Sequence, residues 1–303
     1  MAPQRGEQAV GKMTELPLVV GVDGSDSSLV AVDWATDEAA RHGLPLRLVH
    51  ASLWERYEGV LPPGSPERPS EQVMAQNIIE TAAERARRRN PGVKVSADVV
   101  PEDAASALLR EGSNAYVLIT GSRGRTAFEG LLLGSVSLAV ASRAHGPVIV
   151  VRGDRAGLAG VHGRILLGAG EPGATNEAVR FAFREAEARG CVLDVVRTWR
   201  RPAHGAVEHP MSAGEAVRDD EQWASDLLDV LLGDAMTDHR NVRVRRSTVE
   251  GPAKSVLLRR SAAADLVVIG ARRTQGHLCH LGRVGHRLLH HADCPVAIVP
   301  QRL

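Results

Sequence analysis

Apolar runs of four to eight residues recur along the chain, each closed by glycine, proline, aspartate or serine. The first spans residues 16–23, and others follow at 46–51, 93–100, 116–120 and 148–151. Such runs predict strands buried on both faces. Between them the apolar residues change to helical spacing. Val30, Trp34, Ala35 and Ala39 follow a serine cap within 25–28. Further helices are predicted at 72–89, 102–111 and 135–144, the first of these ending on Arg87, Arg88 and Arg89 before Asn90-Pro91-Gly92. The Pro-rich stretch between 61 and 70 predicts loop. Strand and helix therefore alternate, which predicts parallel βαβ units with helices on both faces of a sheet.

The same order is then written again. Val20 and Gly21 correspond to Leu167 and Gly168, and Trp34 to Phe181, at an offset of 147. Residues 46–50 correspond to 193–197 at that offset, 115–121 to 264–270 at 149, and Pro147-Val148 to Pro295-Val296 at 148. A nearly constant period across the half-chain predicts tandem duplication. The expected organisation is a polar tail (1–14), a first domain (15–152), a Gly- and Ala-rich linker (153–163) and a second domain (164–303).

Composition agrees with two folded domains and excludes several functions. The chain has 303 residues, 44% of them hydrophobic and 24% charged, which is wrong for disorder. Only nine are Phe, Trp or Tyr, so the core must be aliphatic and an aromatic platform for single-stranded nucleic acid is not expected. The net charge is +1, divided as −2 before residue 153 and +3 after it, too little to draw nucleic acid or an anionic membrane. The longest apolar stretch of the first half, 130–142, is too short to span a bilayer, and residues 1–12 carry no apolar signal core. Three cysteines cannot form a disulfide framework, and a cytoplasmic location is expected.

The most specific motif is Gly121-Ser122-Arg123-Gly124, nine residues, then Gly134-Ser135. Gly121 falls at a strand end. Gly124 is expected to take positive φ and let the backbone approach a ligand closely. Gly134-Ser135 opens a helix whose free N–H groups favour an anion, with Ser135 and Ser137 as hydroxyl donors. Together they make a phosphate cradle at strand ends. Turn glycines and an N-cap serine explain the same residues without a ligand. No Gly-x4-Gly-Lys-[Ser/Thr] run and no Gly-x-Ser-x-Gly elbow is present.

The G-x2-G-x9-G-[ST] spacing resembles the ATP-binding branch of the universal stress protein family. So do Val20-Gly-Val-Asp-Gly-Ser-Asp-Ser27 and Leu132-Leu-Gly-Ser-Val-Ser137. The resemblance covers both repeats. It implies a five-stranded parallel sheet per domain in the order 3-2-1-4-5, with nucleotide at the ends of strands 1 and 4. It also implies pairing of the two domains through their last strands, and a homodimer. Carried over residue by residue, Asp23 would contact the nucleoside and Val49 the adenine. Gly121, Gly124, Gly134 and Ser135 would hold the phosphates, aided by Ser122, Arg123, Val136 and Ser137. The implied ligand is ATP with Mg²⁺, and the implied role is stress sensing or signalling through an unidentified client. Slow ATP hydrolysis or self-phosphorylation, and a nucleotide-free interaction module, are the alternatives.

The second repeat departs from the motif. Asp23 aligns with Gly170, Gly124 with Arg273 and Ser135 with Arg283. The arginines are expected to fill the phosphate space, so ATP binding is not expected there; the competing reading is that Arg272, Arg273 and Arg283 bind some other anion. Two other patterns compete for attention. Gly168-Ala-Gly170-Glu-Pro-Gly173 matches a dinucleotide fingerprint, with Asp194 downstream, although drift of the shared loop is simpler. His286 and His290, with His277, Cys279, His280, His291 and Cys294, invite a metal reading, although no established ligand frame is present.

Overall fold

The structure, a computed structural model, describes residues 16–53, 67–124, 133–170, 176–200, 213–273 and 279–301. The tail, the motif residues 125–132 and most of the Pro-rich stretch lie outside them. The chain divides into two compact units, Met1–Arg152 and Gly153–Leu303.

In the first unit five parallel strands lie in the order β3-β2-β1-β4-β5. They are β1 (Leu18–Gly21), β2 (Leu46–Ala51), β3 (Val95–Val100), β4 (Val117–Gly121) and β5 (Val148–Val151). The helices are α1 (Asp26–His42), α2 (Glu67–Arg89), α3 (Ala104–Gly112) and α4 (Ser135–Arg143). Leu18, Val19, Val20, Leu118, Ile119 and Ile149 are fully buried, as strands covered on both faces require. Each such side chain contributes about 1.5–3 kcal/mol by leaving water. The chain leaves β1 and β4 in opposite directions along the sheet, so a crevice opens at their carboxyl ends.

The second unit repeats the order as β8-β7-β6-β9-β11. Its strands are β6 (Arg164–Gly168), β7 (Val192–Trp199), β8 (Arg243–Glu250), β9 (Leu266–Arg273) and β11 (Val296–Gln301), with a two-residue β10 (Cys279–His280) antiparallel to β9. Its helices are α5 (Arg155–Ala159), α6 (Glu177–Arg189), α7 (Ala213–Asp238), α8 (Ala253–Ser261) and α9 (Gly282–His291). The fully buried rings come from a helix: Phe181 and Phe183 lie on α6.

Three expectations need correcting. Helix α2 begins at Glu67, five residues before the predicted start. Pro69 lies in its first turn, where a missing N–H costs nothing. The 153–163 segment contains α5, capped by Asp154, whose carboxylate accepts from the Gly157 N–H at 2.8 Å. It packs within the second unit, against Asp293 and Cys294. Finally, β9 runs on to Arg273, whereas β4 stops at Gly121. The residue aligned with Gly124 is therefore in an extended strand that any side chain adopts, and it poses no positive-φ problem.

Cys191 and Cys294 are both buried free thiols, and burial raises the pKa of each. A raised pKa leaves less thiolate at a given pH. Iodoacetamide at pH 8 should therefore leave both unlabelled in the folded protein and label both in denaturant, as read by peptide mass mapping.

Candidate functional site

The site begins at the end of β1. The Asp23 carboxylate Oδ1 accepts from the Ser25 N–H at 3.0 Å and the Ser25 hydroxyl at 2.6 Å. The Ser25 hydroxyl oxygen in turn accepts from the Ser28 N–H at 3.2 Å and caps α1. Asp23 is thus fixed by an Asx turn at a helix start. Its other oxygen, Oδ2, lies beside Gly124: a Cβ there would stand 2.8 Å from it.

The end of β4 is locked to the same helix start. The Ser27 hydroxyl accepts from the Arg123 N–H at 3.2 Å, and a Cβ on Gly121 would lie 2.6 Å from the Ser27 carbonyl oxygen. Across the loop, the Gly134 N–H donates to the Ser122 carbonyl at 2.8 Å, and the Ser137 hydroxyl donates to the Gly121 carbonyl at 2.7 Å. These bonds aim α4 at the ends of β1 and β4. Its N-cap is Gly134, with no side-chain cap, so the first-turn amides face the crevice without a competing hydroxyl.

A cavity of about 270 Å³ occupies that crevice. Asp23, Val49, Gly121, Arg123, Gly124, Gly134, Ser135, Val136 and Ser137 all line it. Two of the sequence-predicted residues act differently from expectation. Ser122 does not line the cavity, and its hydroxyl lies 3.4 Å from that of Ser27. Ser137 lines the cavity, but its hydroxyl is already donated to Gly121, so it positions the strand end. Gly124 is not among the positive-φ glycines, which corrects the expectation for it. Its role is space for Asp23. Arg125, which follows Gly124 in the sequence, falls outside the described residues.

Among the wall residues that escaped the sequence reading, two are polar. His50 is buried, and its Nδ1 lies 2.7 Å from the Val22 carbonyl oxygen. A carbonyl only accepts, so Nδ1 carries a proton and donates it to Val22, which leaves Nε2 as the ring's second polar atom. Its place beside Val49 at the end of the second strand was the available signal. Thr120 is 4% exposed, and its buried hydroxyl oxygen has no hydrogen-bond partner. A buried orphan hydroxyl on a cavity wall fits a site completed by a polar ligand.

The wall is divided chemically. Val22, Val49, Leu108 and Leu133 make an apolar side. Arg123, Ser135 and the α4 amides make an anion-attracting side. Asp23 is the one carboxylate of the described lining, able to accept from hydroxyl groups.

The sequence model of the universal stress protein family matches residues 17–152 and again 162–300. The chain belongs to the universal stress protein family. A universal stress protein of Mycolicibacterium smegmatis is 29% identical over 308 residues, spanning 97% of this chain and all of that one. One from Mycobacterium tuberculosis is 30% identical over 304 residues, spanning 94% and 97%. A solved universal stress protein from Archaeoglobus fulgidus has a TM-score of 0.62 at 16% identity, over 94% of this chain and 98% of that one, a likeness of fold.

In this tandem universal stress protein the second unit changes the site. Gly170 stands in place of Asp23, and Arg283 is exposed, lining a groove on α8 and α9 with Lys254, His286, Arg287 and His290. Arg283 therefore does not fill the second crevice, contrary to expectation, and Arg272 borders a cavity there; the side chain of Arg273 lies outside the description. The His286 and His290 rings stand 4.5 Å apart among these cations, a poor setting for a divalent metal. Among the described residues of that unit, no three His, Cys, Asp or Glu side chains bring ligand atoms within 4.8 Å of one another. His277 and the side chains of Cys279 and His280 lie outside the description. The fingerprint reading fails for a different reason. Asp194 is buried inside β7 and paired with Arg260 at 3.1 Å, away from the strand end where a ribose would lie. Residues 171–175 of that fingerprint are outside the described residues.

Proposed function

We propose that the first unit binds ATP and that the protein acts as a nucleotide-dependent stress sensor or signalling protein in the cytoplasm. The observation that carries this reading is convergence. An apolar wall, the Asp23 carboxylate and the open amino end of α4 all face one cavity at the ends of β1 and β4. Adenine fits the Val22, Val49 and Leu133 side, with His50 Nε2 as a polar partner. Asp23 accepts from the ribose hydroxyls. The phosphates meet Gly124, Gly134, Ser135, the first α4 amides and Arg123. Mg²⁺ would enter on the phosphates.

Rapid hydrolysis is not expected. The described lining holds no lysine, and its one carboxylate, Asp23, is tied to Ser25 through Oδ1. Efficient phosphoryl transfer needs a positioned cation and a water-orienting group. No helix of the described residues is long and apolar enough to cross a membrane. A homodimer is the expected assembly.

The test is mass analysis of ligand released from freshly purified protein, followed by incubation with ATP and Mg²⁺. Release of an adenine nucleotide, with phosphate production near background and no label on the protein, is the expected result. Multiple turnovers per minute, or a phosphorylated chain, would make the protein an enzyme. Absence of any nucleotide, with no ATP uptake on titration, would leave only an interaction module.

A further inference from the structure

The second unit has lost the acidic and serine groups of the first site but has kept an enclosed space. A cavity of about 220 Å³ lies at the carboxyl ends of β6, β7 and β9, under α6, α7, α8 and α9. Its body is aliphatic: Leu167, Val179, Val196, Leu231, Leu257 and Ile269 all line it. Polar side chains enter from Asn176, Thr198, Arg272 and Gln301. No carboxylate is present in the described lining.

Three features make this a poor nucleotide site. Gly170 offers no side-chain acceptor for ribose hydroxyls where the first unit has Asp23, and its carbonyl is already held by Arg197. Strand β9 continues through Arg272 and Arg273 and pairs with His280 and Cys279 in β10, so its backbone is committed to a ladder where the first unit turns into its glycine loop. Arg197, at the position of His50, is held away from the cavity: its Nη1 donates to the Gly170 carbonyl at 2.6 Å, and its guanidinium lies 5.5 Å from the Trp223 ring.

What remains, among the described residues, is an apolar chamber with one cation, Arg272, at its edge. The Arg272 guanidinium makes no hydrogen bond or ion pair with the described residues, and its side chain is exposed at the rim. Gln301 reaches over the strand end beside it, within 2.9 Å of where a Gly270 Cβ would be. A guanidinium and an amide over an aliphatic chamber select a ligand with an apolar body and a single planar anionic head.

We propose that the second unit binds a small monocarboxylate with an apolar body of roughly ten non-hydrogen atoms, at the position where the first unit has its nucleotide cavity. The carboxylate sits against Arg272 and the Gln301 amide, and the body fills the space between Val179, Val196 and Leu257. This ligand and ATP occupy different units and do not compete.

The test is calorimetric titration of the full chain with octanoate and with 3-phenylpropionate, each with and without saturating ATP. One molecule of at least one acid should bind per chain, with affinity unchanged by ATP. Arg272→Gln should weaken the acid about tenfold or more, as loss of a charged hydrogen bond implies, and leave octanol binding unchanged. Val179→Phe, which fills the chamber, should remove both acid and alcohol; Arg272→Gln, at an exposed position, serves if Val179→Phe does not fold. No saturable binding of either acid, displacement by ATP, or an Arg272→Gln variant with full acid affinity would overturn the proposal. ATP binding to the first unit is read in the same titrations, so failure here is distinct from failure there.

Discussion

Gly124→Val should lower ATP affinity by at least about 100-fold while leaving the fold intact, a loss of roughly 2.7 kcal/mol or more. A Cβ at this position stands 2.8 Å from Asp23 Oδ2, closer than real contacts allow. The two γ-methyl groups add bulk toward the cavity that Gly124 and Asp23 both line. The clash is with the end of a side chain, and Gly124 needs no positive φ, so the protein relieves it by rotating Asp23. Rotation breaks the Asx turn with Ser25 and moves the carboxylate out of the nucleoside's reach. The melting temperature should therefore change by only a few degrees while the titration loses its signal. Gly124→Ala should give an intermediate loss. Full ATP affinity in Gly124→Val, confirmed as folded, would remove Gly124 and Asp23 from the site.

Gly153→Ala should have the largest effect on stability, about 3–5 kcal/mol, or a fall of roughly 10 °C in the melting temperature of the second unit. Two penalties coincide at this residue. Its φ of +112° is one that L side chains rarely adopt. A Cβ would also stand 2.3 Å from the Asp293 carbonyl oxygen and 2.6 Å from the Cys294 amide nitrogen, both backbone atoms that cannot swing aside. Gly160→Ala is the control. It also has positive φ, at +67°, but a Cβ there meets nothing within 4 Å. That variant should cost only about 1 kcal/mol. Scanning calorimetry of both variants separates backbone conformation from close packing. Equal losses would mean that the 153–157 segment is not packed on Asp293 and Cys294.

Both predictions depend on contacts that the sequence did not reveal. The strand–helix alternation, the duplication and the glycine turns at Gly121 and Gly134 were legible from local signatures, whereas the strand order and the place of Asp23 came with the family resemblance. The direction of a side chain has no such signature. Ser122 and Ser137 both sit in the motif, yet Ser122 turns toward Ser27 and Ser137 toward the Gly121 carbonyl. Spacing alone could not separate them from Ser135, which lines the cavity at the start of α4. The length of β9 was illegible for another reason. Its last residues pair with Cys279 and His280 on one side, and Arg272 also pairs with Gln301 of β11. Pairing partners outside the local window override local expectation. The second cavity was missed because bulk was judged from aligned residue types: Arg283 is large, but it points to a groove on α8 and α9. Pro69 was read as a loop residue when it lies in the first turn of α2, a position that proline tolerates.

The central claim is that one fold written twice carries one nucleotide site. Calorimetric titration of the full chain with ATP and Mg²⁺ tests it most directly. The account predicts one ATP per chain, with the signal lost in Asp23→Ala and in Gly124→Val. Two equivalent ATP sites per chain, or one that survives both substitutions, would contradict it.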